Sequence, residues 1–202
     1  MGEERLERQI RFILEIDSLK GVLRQSYLAG VDRRENSAEH SWHVSVMAVV
    51  LAEHANEAVD VARVVRMLLL HDVVEIDAGD TYVYDATSAA GKAVREARAA
   101  DRLFGILPAD QGQELRALWE EFEAGTSPEA RFAAALDRLM PVLHNWATGG
   151  RSWREHGITA ERVIERNAAI AAGSEALWAR ALACIREAVA RGDLAGASGA
   201  ER

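Results

Sequence analysis

Apolar residues recur every third or fourth position along almost the whole chain, and the alternating runs that mark strands are nearly absent. Alanine is abundant and only 3 prolines interrupt the backbone, so the pattern specifies an all-α chain. A first helix is read from Glu4 to Leu23, with Ile10, Ile13, Leu14 and Leu19 inward, followed by a loop through Gly30, Asp32 and Asn36. Asn36-Ser37-Ala38-Glu39 has the spacing of a capping box, and it opens a second helix that reaches Asn56 with Val44, Met47, Ala48 and Leu51 inward. Asp60 caps a third helix, whose stripe of Val61, Val64, Val65, Leu68 and Leu69 continues onto Asp72. A loop from Ala78 to Ala86 follows. Further helices are read over Ser88–Phe104, Asp110–Glu123, Pro128–Trp146, Thr159–Ala171 and Glu175–Arg191, with Ser127 a start signal and Gly192 a stop.

The chain has 202 residues, 49% hydrophobic, which suffices for one core, so a single domain is expected over 1–194 with a disordered tail at 195–202. No run approaches the ~20 apolar residues of a membrane helix: Val59 to Ile76 is interrupted by Asp60, Arg63, Arg66, His71, Asp72 and Glu75. The charged N-terminus lacks an apolar secretory segment, and the single cysteine, Cys184, sits among apolar neighbours as a core thiol. Both features point to a cytoplasmic protein. A net charge of −8 argues against coating a nucleic-acid polymer, although one metal ion and one arginine can still make a pocket attract a small anion.

Chemistry concentrates around His71-Asp72. An apolar stripe that ends on a carboxylate demands a counter-charge, supplied by a bound cation or by a salt bridge. Glu75 lies four residues after His71 and three after Asp72, on the same face of a continuous helix, and Asp77 and Asp80 follow. So many carboxylates in so short a stretch repel one another unless a cation sits among them. His40, near the start of the second helix, is the next candidate ligand.

The order His40, His71-Asp72 and a distant Asp137 in Ala135-Leu136-Asp137-Arg138 resembles the H…HD…D pattern of HD-domain phosphohydrolases. The blocks Glu35-Asn36-Ser37-Ala38-Glu39-His40-Ser41, His71-Asp72-Val73-Val74-Glu75 and Gly79-Asp80 resemble the 5'-deoxynucleotidase branch of that family. So does Trp119-Glu120-Glu121-Phe122-Glu123, followed by Glu129-Ala130-Arg131-Phe132. The resemblance covers about residues 10–145.

It implies an all-α HD domain with a metal site between its central helices, the ligands being His40, His71, Asp72 and Asp137. Two imidazoles and two carboxylates suit Mn, Fe, Co, Ni or Zn. A second, hard ion such as Mg, held only by oxygens, would take Glu75, Asp80 and the Thr81 carbonyl. No histidine lies between Asp72 and Asp137, which removes the ligands a histidine-bridged two-metal centre takes from that interval. The resemblance further implies that Glu75 orients water or moves its proton, that Asp80 faces the ester or sugar, and that Arg24 orients the phosphate. Gln25-Ser26-Tyr27 stand where that branch has a Trp or Gly-Trp, at the end of the pocket that selects sugar and base. Pro141 removes the helical hydrogen bond to the Asp137 carbonyl, and a kink there would turn the ligand toward the ion.

His43, His54, His144 and His156 are read as structural, as are Trp119, Trp146, Trp153 and Trp178. Arg95, Arg98 and Arg102 alternate with Glu96 and Asp101 as a solvated face. The expected function is a metal-dependent 5'-deoxynucleotidase acting on a small nucleotide, in a homodimer. The alternatives are hydrolysis of another small phosphate ester or a nucleoside triphosphate, and a non-catalytic nucleotide sensor.

Overall fold

At Asn36 the chain passes from extended to helical. The Asn36 side chain accepts from the Glu39 backbone N–H (2.9 Å), and the Glu39 carboxylate accepts from the Asn36 N–H (3.2 Å), which completes the capping box. The computed structural model describes residues 2–80, 84 and 91–196. It contains α1 (Gly2–Ile16), a 3₁₀ turn (Asp17–Gly21), β1 (Leu23–Tyr27), β2 (Arg34–Asn36), α2 (Ser37–Leu51), a 3₁₀ turn (Ala52–His54), α3 (Val61–Leu70) and α4 (Glu75–Ala78). There follow α5 (Lys92–Phe104), α6 (Ala109–Ala124), α7 (Pro128–Ala147), α8 (Arg151–Glu155), α9 (Ala160–Asn167), α10 (Ile170–Gly173) and α11 (Glu175–Arg191).

The architecture is all-α apart from one two-stranded antiparallel hairpin, which corrects the loop expected there. Leu23 pairs with Asn36 and Tyr27 with Arg34, with an irregularity between them. Among Leu-Arg-Gln-Ser-Tyr and Arg-Glu-Asn only Tyr27 has a clear strand preference. Burial decides it, because Ser26 and Glu35 are covered by the helices beneath. The first helix accordingly ends at Ile16 instead of Leu23, and Arg24 is carried by β1.

α7 is the central element, packed against α2, α3, α6, α10 and α11. Its Phe132, Leu136 and Leu139 join Val44, Met47, Leu68, Ile170 and Ile185 in the main core, where full burial of such side chains contributes roughly 1.5–3 kcal/mol each. Cys184 lies in this core as a free thiol. A second cluster gathers Phe12, Val73, Val74, Leu103, Phe104 and Trp119. α2 is apolar on both sides: Val44 and Ala48 face the core, while Trp42, Val46, Val49 and Val50 are exposed. Beyond α11, Ala195 pairs with Thr159, so the chain is still tied down where the tail was expected to begin; residues 197–202 lie outside the described ones. No helix among the described residues is long and apolar enough to cross a membrane.

The close approach of α10 to α7 depends on Gly173, where a Cβ would stand 2.2 Å from the Arg131 carbonyl oxygen and 2.8 Å from Ala135 Cβ. Gly173→Ala is therefore expected to destabilise the fold by about 1–3 kcal/mol, measured as a lower urea midpoint at unchanged slope. An unchanged midpoint would show that the two helices separate at no cost.

Candidate metal centre

Three separate elements deliver the side chains. His40 lies in the first turns of α2, fixed by the Asn36 cap, and is wholly buried. Asp137 lies on α7, which runs on through Pro141 to Ala147. His71 and Asp72 lie just past the end of α3, and here the expectation of a continuous helix is corrected. His71 N–H still bonds to Met67 O (2.9 Å), but residues 71–74 form a turn closed by Val73 N–H to Leu70 O (3.1 Å) and Glu75 N–H to Asp72 O (2.9 Å). Leu68, on α3, belongs to the main core, and the turn carries Val73 and Val74 into the second cluster. Gly79, with φ of 75°, then ends α4 in a conformation that favours glycine and leads the chain into Asp80.

His40, His71 and Asp72 each present a ligand atom within 4.8 Å of the others. Asp137 Oδ1 lies 2.9 Å from His40 Nε2 and 3.6 Å from His71 Nε2, and Asp72 Oδ1 lies 3.1 Å from His71 Nε2. All four side chains named from the sequence thus converge. His71 tests whether they suit a cation. Its Nδ1 lies 2.8 Å from Leu68 O, so in the neutral ring the proton belongs there and Nε2 turns a lone pair toward two carboxylates, where it takes up either a second proton or a cation. Nε2 is buried with no hydrogen-bond partner. A lone pair facing carboxylate oxygens wants a positive ion, and the donor set of two nitrogens and two oxygens fits a borderline divalent metal.

The salt bridge considered as the alternative for Asp72 is also present. Arg24, expected near a helix end, is instead buried on β1, its Nη1 2.7 Å from Asp72 Oδ2. The same atom is 3.9 Å from Glu75 and 4.0 Å from Asp80, and Nη2 is 3.8 Å from Asp137. Burial works against the Arg24 charge, but Asp72, Glu75, Asp137 and Asp80 outweigh it and hold the guanidinium protonated. Burial and then Asp72 push the Glu75 carboxyl up to about 8, against the pull of Arg24. Burial raises Asp80 as well. For His71 burial opposes the charge, but Asp72 and Asp137 prevail and push it up to about 9. Asp137 is held well below the usual carboxylate range, because the imidazoles of His40 and His71 beside it overcome its burial. Ser37, at the start of α2, donates to Glu75 Oε2 (2.7 Å) and fixes that carboxyl.

These groups share a cavity of about 300 Å³, within the range of small-molecule pockets. Arg24, Gln25 and Ser26 line one wall, Trp153, Asn145 and Asn167 another. Tyr27 does not join them, its hydroxyl being bonded to Glu155 (2.9 Å). Thr81 lies outside the described residues.

Two features of the site escaped the sequence reading. Lys92, Glu96 and Glu123 also line the cavity, with Lys92 Nζ 3.3 Å from Glu96, so Glu96 is buried and not part of a solvated face. Arg102, from the same supposed face, pairs with Asp77 and Glu15. The other is Glu35, almost fully buried behind His40, which nothing in its local pattern distinguished from a surface glutamate.

The HD domain family model matches residues 16–178. The bovine 5'-deoxynucleotidase HDDC2 is 35% identical over 136 residues, covering 66% of this chain and 64% of that protein. The human protein of that name is 33% identical over 135 residues, covering 66% and 65%. The matching region thus spans just under two thirds of these relatives. A crystal structure from Magnetospirillum magnetotacticum MS-1, described as a predicted metal-dependent phosphohydrolase, is 54% identical with a TM-score of 0.92, covering 96% of this chain and 98% of that one. The PH0347 protein of Pyrococcus horikoshii OT3, at 24% identity and a TM-score of 0.60, shares the fold.

The raised pKa values set a pH dependence for chelator-treated protein. His71 moves from 6.5 to about 9 and Glu75 from 4.5 to about 8, so the folded state binds more protons than the unfolded state between those limits. Stability must then fall as pH rises from 4.5 to about 9. Thermal melts in EDTA across that window are expected to show the decline, and saturating divalent cation, which displaces these protons, to oppose it. A flat profile in EDTA would contradict these electrostatics.

Proposed function

The chain belongs to the HD-domain family, and from that premise we propose that it is a metal-dependent phosphohydrolase removing phosphate from nucleoside 5'-monophosphates, with 2'-deoxynucleotides its preferred class. The observation that carries this reading is the convergence of His40, His71, Asp72 and Asp137 beside Arg24 and Glu75 on one cavity. The names of the bovine and human relatives supply the substrate class. In this reading the four converging residues hold one divalent cation. Mn, Fe, Co, Ni and Zn suit the mixed nitrogen and oxygen set, and Mg suits a second position built from Glu75, Asp80 and Thr81.

When bound, such a cation polarises a phosphoryl oxygen and lowers the pKa of a nearby water. The protein's own groups do the rest. Arg24 offers a planar fork of N–H donors to the phosphate, and its site is dry enough to make that charge felt. Glu75 lies on the same cavity and is assigned to take a proton from an attacking water and return it. The Ser37 hydroxyl keeps the Glu75 carboxyl aimed while it does so. Asp80, raised by burial, lies on the same cavity and is assigned to the ester or sugar side. Gln25 and Ser26 border the pocket beside Arg24, where they bear on sugar and base preference.

Phosphate release from deoxy- and ribonucleoside monophosphates, repeated with each candidate metal, tests the reading. Deoxynucleoside monophosphates are expected to be the best substrates. Tripolyphosphate release from a nucleoside triphosphate, cut between its sugar and phosphate, would transfer the activity to that class, and tight binding with no release under any metal would identify a sensor. Asp72→Ala is expected to abolish both metal content and turnover. Glu75→Gln should keep the metal and lower turnover about 100- to 10,000-fold. Full turnover in Glu75→Gln would remove it from the chemistry.

A further inference from the structure

Behind His40 lies a carboxylate that no hydrogen bond satisfies. Glu35, the middle residue of β2, is 1% exposed, and neither of its oxygens has a hydrogen-bond partner. Three nitrogens surround its Oε2: His40 Nδ1 at 3.4 Å, His144 Nδ1 at 3.7 Å and Arg24 Nε at 3.9 Å. His40 Nδ1 and His144 Nδ1 are themselves buried and unpartnered. Polar groups left open out of water are costly, so the arrangement must close on itself. Glu35, His43 and His144 are near enough to grip an ion of their own. Yet all three nitrogens around Oε2 can carry protons, and a proton pointed at it satisfies that oxygen without an ion.

His40 gives that closure a direction. Its other ring nitrogen, Nε2, lies 2.9 Å from Asp137 Oδ1. With the ring proton on Nε2, Nδ1 turns a lone pair on Glu35, acceptor against acceptor. With the proton on Nδ1, it points at Glu35 and the Nε2 lone pair is free for a cation beside Asp137. We propose that Glu35 is a positioning residue: it accepts the Nδ1 proton of His40, so selecting the tautomer whose Nε2 can ligate metal, and through Nε of Arg24 it aims the guanidinium along the same cavity. One buried carboxylate then couples the metal ligand to the phosphate-holding arginine, with His144 as its third partner. The inference rests on the cation reading above and adds the residue that prepares His40 for it.

Cobalt(II) serves as the probe, in the full chain. Calorimetry reads its affinity, and proton NMR in water reads exchangeable ring N–H signals shifted by the bound ion. Wild-type protein is expected to show two such signals, from His40 Nδ1–H and from His71 Nδ1–H, the latter held by Leu68 O. Glu35→Leu is expected to lose the first and keep the second, with affinity weakened about 10- to 100-fold. Glu35→Gln keeps the volume and an acceptor oxygen but not the charge, and should weaken affinity about tenfold. It decides the question should Glu35→Leu fail to fold. Cobalt affinity within twofold of wild type in Glu35→Gln, or both signals intact in folded Glu35→Leu, overturns the proposal. A wild-type chain that takes up no cobalt overturns the cation reading itself and this inference with it.

Discussion

Negative charge held out of water is the constraint on which the rest of this structure depends. Asp72, Glu75, Asp80 and Asp137 crowd one cavity, and burial among these acids raises the cost of ionising Glu75 and Asp80. Arg24 answers part of that charge from β1, and the protons that His71 and Glu75 retain answer more. A site balanced this way suits a cation, because a divalent ion can take the place of those protons. Folding energy and ligand affinity are therefore stored in the same few side chains.

The scaffold holds these groups on elements that cannot drift apart independently. α7 forms the middle of the main core and also carries Asp137, so loosening the ligand would require disturbing Phe132, Leu136 and Leu139. α2 is pinned at its start by the Asn36 cap, within one turn of both Ser37 and His40. The turn at residues 71–74 is gripped by a separate apolar cluster through Val73 and Val74. Delivery from three sides lets a mixed donor set face one point, with His40 and Asp137 on helices and His71 and Asp72 on a turn that its own apolar cluster holds.

Much of this was legible beforehand, for physical reasons particular to each element. Asn36 and Glu39 announce a helix start because cap chemistry is local, and α11 falls on Glu175–Arg191 because Ser174 and Gly192 bracket an uninterrupted periodic run. An apolar stripe ending on Asp72 signals a buried carboxylate, since the same surface that buries Leu68 must cover it. The hairpin was hidden because Tyr27 alone among its strand residues has a clear strand preference, and Arg24 was consequently expected near a helix end. The helix break after Leu70 was hidden too, because no glycine or proline marks it.

By itself the sequence determined a mainly helical chain, the helix starts at Asn36, Asp60 and Ser127, the stop at Gly192, and a buried stripe that ends on Asp72, because periodicity and capping act over a few residues. Tertiary structure alone decided that Arg24 would enter an acidic cavity, that Lys92, Glu96 and Glu123 would line the same cavity, and that Glu35 would stand behind His40. Those outcomes depend on desolvation and on distances between segments tens of residues apart. No local pattern of residue types carries that information, since a glutamate reads the same in a sequence whether water or an imidazole is its neighbour.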